Sequence, residues 1–547
     1  MIAVGLSNVS LTLGARPIFA NLTWEIQHHQ RIGLIGPNGA GKSSLFKLIV
    51  GEHIPERTPE GSGAIVKAKG VTVGYLPQDP DFDPASTALA VALSGNTRLI
   101  EVESQLARID SRLADPAVYN SPKALARAVE DQQRLLDEFA ALGGEGYESR
   151  ARTTLLGLGL REPDFDKPIG VLSGGQKKLA GLAQLMMAKP SVLLLDEPDN
   201  HLDLAGKAYL ERLIVEYPGA VVIISHDRYL LDAVVTHIAE IEDGRLSTFS
   251  GDYSMFIIDK EERLARQAGL YQVQQREISR IEAAIKRYAM WAKVYDNEKF
   301  AKRAKAIQNR LDKMERIERP VLERRRMELA LSGWRGSNKV LELVDVKKSF
   351  GESPLLCGVN LLVRHGERVG LIGANGAGKS VLLRVIIGQE APDAGEVKIG
   401  PSVKTGHYAQ EHETLNFAQT PLEAVRLARP LNEGNAVSFL GRYLFPYRQA
   451  TQKIGDLSGG ERSRLQLALL VLSDVNFLLL DEPTNNLDIA SAEVLENALA
   501  EFEGAVLVIS HDRYFLDRTV NRIVELENGV LTGYAGSYSD YAAKKEI

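Results

Sequence analysis

The chain has 547 residues, 44% hydrophobic and 25% charged, a composition that excludes a disordered chain or a coiled-coil rod and, at roughly 150 residues per domain, calls for three to four units. Its 65 Lys or Arg against 71 Asp or Glu give a net charge of −6, which as a global figure argues against nucleic acid. One cysteine, Cys357, excludes an internal disulfide and any multi-cysteine zinc or iron–sulfur site. No run approaches the roughly 18 apolar residues of a membrane helix, and Met1-Ile2-Ala3-Val4-Gly5 lacks a basic region and a signal-peptide core. A cytoplasmic protein is expected.

The chain is written twice. The apolar strand Arg31-Ile32-Gly33-Leu34-Ile35 leads into Gly36-Pro37-Asn38-Gly39-Ala40-Gly41-Lys42-Ser43, then Ser44. The same pattern, Arg368-Val369-Gly370-Leu371-Ile372 into Gly373-Ala374-Asn375-Gly376-Ala377-Gly378-Lys379-Ser380, then Val381, returns at an offset of 337. Gln78, in Tyr75-Leu76-Pro77-Gln78, has a counterpart in Gln410 of Tyr408-Ala409-Gln410. Three later blocks repeat at an offset of 285: Leu172-Ser173-Gly174-Gly175, Leu193-Leu194-Leu195-Asp196-Glu197-Pro198, and Ser225-His226-Asp227-Arg228-Tyr229. Two α/β domains are therefore expected over about 1–255 and 340–547.

The change of offset places 47 extra residues between Gln78 and Ser173. Within about 95–150, Leu99, Val102, Leu106, Ile109 and Leu113 recur at helical spacing. Asp115-Pro116 and Ser121-Pro122 break that helix. A second pattern through Leu125, Leu135, Phe139 and Leu142 ends at Gly143-Gly144. The insertion predicts a helical hairpin.

Residues 256–335 belong to neither repeat. Ile278, Ile281, Ile285 and Tyr288 mark one helix; Ile307, Leu311, Met314 and Ile317 mark another, ended by Pro320. Two long antiparallel helices with a tip near Trp291–Asn297 are expected. Residues 286–326 hold 14 Lys or Arg against six Asp or Glu, a net +8 in a chain of net −6. A basic stripe on an acidic body is the footprint of a polyanion. Lys286, Arg287, Lys293, Lys299, Lys302, Arg303, Lys305 and Arg310 are the candidate RNA contacts, beside the contiguous Arg324-Arg325-Arg326. Tyr288, Trp291 and Tyr295 lie among them, and hairpin core is the simpler role for each.

The Gly-x-x-x-x-Gly-Lys-Ser loops, each between strand and helix, are phosphate cradles: glycines turn backbone N–H groups toward a phosphate chain. Lys42 and Lys379 add charge at the β- and γ-phosphates, and Ser43 and Ser380 offer a hydroxyl to Mg²⁺. Asp196 and Asp481 end buried strands and can hold the same ion, usually through water. Glu197 and Glu482 follow and can polarise an attacking water. His226 and His511, after further apolar strands, can contact the γ-phosphate and that water, and Gln78 and Gln410 can sense metal and water. Ser173-Gly174-Gly175 and Ser458-Gly459-Gly460 open apolar helices, a second phosphate-binding device. Each half already has a phosphate loop, so this device meets the other half's nucleotide. Two ATP molecules are expected between halves packed head to tail. One site combines Lys42, Asp196 and Glu197 with Ser458; the other combines Lys379, Asp481 and Glu482 with Ser173. Internal pairing of this kind suits a monomer.

These motifs, in this order and twice over about 460 of 547 residues, resemble the ATP-binding cassette superfamily. The insertion, the basic linker and the repeated Asp-Glu-Pro-x-Asn-x-Leu-Asp and Ser-His-Asp-Arg-Tyr blocks make the chain look like the ABC-F family of twin-cassette ATPases. The resemblance implies binding at the ribosome near the tRNA exit site, with the linker on P-site tRNA and ribosomal RNA and the insertion as the family's arm. It implies that ATP closes the cassettes and hydrolysis releases the factor, in translation or in ribosome protection against antibiotics. It implies no membrane insertion and no obligate permease; the alternative is the ATPase subunit of a transporter with a separate permease. Four departures stand out. Asp199 replaces the threonine kept at Thr484. Phe350 fits the adenine-stacking aromatic, but Leu13 occupies its place in the first half. Arg464 follows the second signature where the first has Leu179. Val381 replaces a second hydroxyl. Two unequal sites are expected.

Overall fold

Each half places its unbroken apolar runs at the centre of a mainly parallel sheet. The computed structural model describes all residues except 15, 59–60, 201, 295–297, 315, 317–326, 332, 352, 410–412 and 546–547. In the first half six strands lie in the order Arg245–Ser250, His237–Glu242, Arg31–Ile35, Ala220–Ile224, Val192–Asp196 and Val73–Leu76. Arg245–Ser250 pairs antiparallel and the others pair parallel. Val192–Asp196 and Ala220–Ile224 are buried at every position, as strands covered on both faces must be.

The second half repeats this order with Val530–Ala535, Arg522–Glu527, Arg368–Ile372, Ala505–Ile509, Phe477–Asp481 and Thr405–Tyr408. Each half also carries a three-stranded antiparallel sheet: Arg16–Gln27, Ile2–Leu13 and Ala64–Lys67, then Ser353–Arg364, Lys339–Phe350 and Ala394–Ile399. Leu6, Phe19 and Trp24 of the small sheet share one core with Leu34, Leu194 and Val222 of the large one and with Phe46 of the helix Lys42–Val50. The phosphate loop is thereby held between a buried strand and a buried helix. The chain is thus an α/β protein of two P-loop units in tandem, as expected.

The insertion forms helices Thr97–Leu113, Pro116–Tyr119 and Pro122–Ala141. Asn96 caps the first by accepting from the Leu99 N–H. Pro122 stands in the first turn of the third, where its missing N–H costs nothing. Val102, Ile109 and Leu135 close the hairpin core, with Leu106, Leu113, Phe139 and Leu142 packed against them. Arg98 and Glu138 bridge the two long helices at 2.6 Å.

Residues Tyr253–Arg326 form a separate unit. Its first helix, Tyr253–Val294, runs 42 residues; the second, Glu298–Asp312, has 15 and folds back on it. The pair is therefore unequal in length, unlike the two long helices expected. Tyr288 stacks on Phe300 at 6.3 Å, and Trp291 meets both rings edge-on at 5.7 Å. The Arg287 guanidinium lies 5.6 Å from the Trp291 ring. The rings pack on one another with Tyr288 and Phe300 half-buried and Trp291 exposed, while Ile278 and Leu311 are buried. All eight candidate RNA contacts are exposed. Tyr295, Ile317, Pro320 and Arg324 to Arg326 lie outside the described residues.

Candidate functional site

Both phosphate loops curl round their own lysine. Lys42 Nζ donates to the carbonyls of Gly36 (2.8 Å) and Pro37 (3.2 Å). Lys379 Nζ does the same to Gly373 (2.6 Å) and Ala374 (3.0 Å). Burial pushes both ammonium groups below their ordinary pKa, and the glutamate and aspartate that follow each Leu-Leu-Leu strand pull back. Gly36 is indispensable here: at φ +149°, an added Cβ would sit 2.4 Å from the Ile241 carbonyl oxygen. Gly36→Ala is expected to weaken ATP binding at the first site by more than about tenfold. Titration of a fluorescent ATP analogue against Gly36→Ala and the wild type checks this; equal affinities would contradict it.

Asp196 and Asp481 end their strands facing the loop hydroxyls, Ser43 hydrogen-bonding Asp196 and Ser380 hydrogen-bonding Asp481. Burial raises both carboxyls above the usual range. Asp481 Oδ1 is buried with no hydrogen-bond partner among the described residues. A hydroxyl beside a carboxylate with a spare oxygen fits a magnesium ion, whose remaining positions substrate phosphates and water fill. Among the described residues no cluster of three His, Cys, Asp or Glu could hold a metal by itself.

Glu197 and Glu482 follow at φ 50° and 48°, a left-handed turn that brings each under its histidine. His226 Nε2 lies 3.7 Å from Glu197 Oε1, and His511 Nε2 lies 3.6 Å from Glu482 Oε1. Burial first, and the adjacent Asp481 second, push Glu482 up to about 7. Burial and Lys42 press His226 down to about 3, and His511 also falls well below its ordinary value. Both imidazoles are therefore neutral hydrogen-bonding groups at physiological pH. Gln78 Nε2 donates to Glu197 Oε2 at 3.0 Å; Gln410 lies outside the described residues.

The halves meet across a pseudo-twofold seam. Asp203 Oδ1 caps its own helix at the Gly206 N–H (2.9 Å), and Oδ2 accepts from Asn375 N of the opposite phosphate loop (3.1 Å). Asp488 repeats this with Ser491 N (2.9 Å) and Asn38 N (3.4 Å). Ser173, Gly174 and Gly175 line one cavity of about 840 Å³ with Asn375, Lys379, Ser380, Val381, Asp481, Glu482 and His511. The first signature thus faces the second phosphate loop. On the other side an added Cβ at Gly460 would lie 3.1 Å from Asn38 Nδ2. Ser173 and Ser458 also cap their helices, in boxes with Gln176 and Glu461. Phe350 presents a half-exposed ring with Lys348 Nζ 5.6 Å from its centre, and Leu13 is likewise exposed.

Sequence reasoning did not assign Arg228, Glu496, Arg513 and Glu211. Arg228 pairs with Glu496 at 2.6 Å and Arg513 pairs with Glu211, each across the seam. Arg228 lies 4.2 Å from the Tyr514 ring centre and Arg513 5.1 Å from that of Tyr229. The offset of 285 between these pairs was the available signal.

Two phosphate loops, each facing the other half's Ser-Gly-Gly turn, define a twin-cassette P-loop ATPase. A family model described as "ABC transporter" matches residues 19–200 and 356–485, and another of the same description matches 239–330. The putative ATP-binding protein YdiF of Bacillus subtilis is 35% identical over 100% of this chain and 83% of its own length. The energy-dependent translational throttle protein EttA of Escherichia coli K12 is 35% identical over 97% of this chain and 93% of its own. The fold matches that of the archaeal ribosome recycling factor aABCE1, solved with the ribosomal stalk protein aP1, at TM-score 0.60 and 18% identity, covering 98% and 92% of the two chains. The chain belongs to the ABC-F family of ATP-binding cassette proteins, and it is an ATPase. No helix among the described residues is long and apolar enough to cross a membrane.

Proposed function

We propose that this chain is a ribosome-associated ATPase that clamps two ATP molecules at its seam and presents its basic hairpin to RNA. The observation that carries the reading is the exposed cationic hairpin on a relative of a protein named for energy-dependent throttling of translation. Phosphate neutralisation by such cations gives affinity without sequence readout. The arm of residues 97–141 is assigned a second ribosomal contact on the family resemblance alone.

In each site the loop lysine holds the terminal phosphates and the opposite Ser-Gly-Gly turn closes over them. Glu197 or Glu482 orients the attacking water and accepts its proton as the oxygen bonds to the γ-phosphorus and the bond to ADP breaks. The neutral histidine steadies that carboxylate and the γ-phosphate. Ser43 with Asp196, and Ser380 with Asp481, would hold a Mg²⁺, which would supply charge neutralisation to the phosphates.

The test is ribosome co-sedimentation of the Glu197→Gln/Glu482→Gln double variant. It is expected to pellet with ribosomes in ATP and not in ADP. Reversing Lys302, Arg303 and Lys305 to glutamate in that background is expected to weaken pelleting more than about tenfold at moderate salt. An absence of nucleotide-dependent co-sedimentation would remove the ribosomal reading and leave the ATPase intact, and co-purification with a membrane permease would favour a transporter subunit.

A further inference from the structure

The seam repeats its Arg–Glu pairs and its helix-cap contacts but differs at a buried cation. Lys207, on the helix Leu204–Glu216 of the first cassette, is buried at the interface. Its Nζ donates to Asp227 Oδ2 at 2.8 Å and, across the seam, to the backbone carbonyl of His511 at 2.9 Å. The same His511 residue donates its N–H to Glu482 Oε2 at 3.3 Å. One cation of the first cassette therefore anchors, by its carbonyl, the residue whose N–H orients the second cassette's glutamate.

Among the described residues the first site has no cross-seam counterpart; the added cation beside Glu197 is Lys178 of its own cassette. The offset of 285 aligns Lys207 with Ala492, which carries no donor. Glu197 instead accepts side-chain N–H groups from Asn200 (2.7 Å) and Gln78 (3.0 Å). The same offset aligns Asp199 with Thr484. Asp199 and Lys207 thus bring opposite charges where the second cassette has neutral residues, Lys207 making its ion pair with Asp227. A buried lysine demands such compensation. Burial opposes the Lys207 cation, but Asp227, Asp199 and Asp512 outweigh it and raise its pKa.

We infer that Lys207 is a positioning residue acting in trans on the second ATP site, and that the Asp199–Lys207 pair makes the two sites unequal. The inference rests on the proposed assignment of Glu482 as the group that receives the water's proton. Lys207 reaches Glu482 through His511, whose Nε2 also lies 3.6 Å from Glu482 Oε1. Removing Lys207 withdraws the cross-seam anchor of the His511 carbonyl and loosens the N–H that orients Glu482.

The experiment uses the full chain. Asp199→Thr/Lys207→Ala recreates the Thr484/Ala492 pair and keeps the net charge; Asp227 loses its Lys207 partner but keeps Arg513 nearby, so circular dichroism and ATP binding first establish that the variant folds. Rapid-quench first-turnover rates are read in two backgrounds. With the first site silenced by Glu197→Gln, the second-site rate is expected to fall about 10- to 100-fold. The ATP concentration for half-saturation is expected to move less than about threefold, the signature of a lost transition-state interaction. With the second site silenced by Glu482→Gln, the first-site rate changes less than about threefold. An unchanged second-site rate, or equal losses at both sites, overturns the inference. If Glu482→Gln itself leaves the second-site rate intact while Lys207 is still present, the site assignment fails first, and the inference with it.

Discussion

Glu482→Gln is expected to slow hydrolysis at the second site by about 10²- to 10⁴-fold while ATP still binds. The carboxylate sits one residue beyond the strand Phe477–Asp481. It is oriented by the His511 N–H and faces the cavity that the opposite signature lines. The amide keeps the shape and loses the proton acceptor. Burial and Asp481 place Glu482 near 7. The acceptor must be ionised, so second-site turnover is lost as pH falls through about 7 and is fully present above it. The pH–rate profile of Glu197→Gln, in which only the second site is intact, reads this directly. A profile flat from about pH 5.5 to 8 would count against the assignment.

Arg228→Ala is the other large effect, and it falls on both sites together. Arg228 is buried on Glu496, itself almost inaccessible, and lies over the Tyr514 ring. Deleting one member of a buried ion pair costs about 3–5 kcal/mol, and the ring contact adds to it. At 1.4 kcal/mol per decade, closure of the seam weakens by about 10²- to 10³-fold. Arg518 still reaches Glu496 at 3.1 Å, which holds the loss toward the lower end. Steady-state ATPase and the first-turnover rate of each site are the measurements. Arg513→Ala is expected to match Arg228→Ala, because it makes the reciprocal contact with Glu211. A defect confined to one site in either variant would show that the seam does not close as one body.

The parts of the site read from the sequence are those whose chemistry is local. A phosphate loop needs its glycines, lysine and serine within eight residues, and the strand before it must be apolar to be buried. The Asp-Glu pairs and the histidines likewise sit at ends of runs whose burial the residues announce. The insertion's helices were legible for the same reason, from the spacing of Val102, Ile109 and Leu135. Leu125, counted in that stripe, stands outside the hairpin core, while Ala128 is fully buried. An alanine is too small to stand out in a hydrophobic pattern.

Other features depend on two segments hundreds of residues apart meeting in space. Asp203 and Asp488 look like ordinary helix caps until their second oxygens reach the opposite loops. Arg228 and Arg513 look like solvated cations until the fold buries them on glutamates 268 and 302 residues away.

The amino-acid sequence alone determined that this is a twice-repeated P-loop ATPase with a basic helical connector, because periodicity and motif spacing follow from backbone geometry over a few residues. Only the tertiary structure decided how the repeats are unequal. Asp199 reads as an added negative charge near the first site. In the folded seam the nearby Lys207 charge offsets it, while Lys207 Nζ donates to Asp227 and to the His511 carbonyl of the other repeat. Charge compensation in a buried interface is set by distance through space, and the order of residues along the chain does not carry that distance.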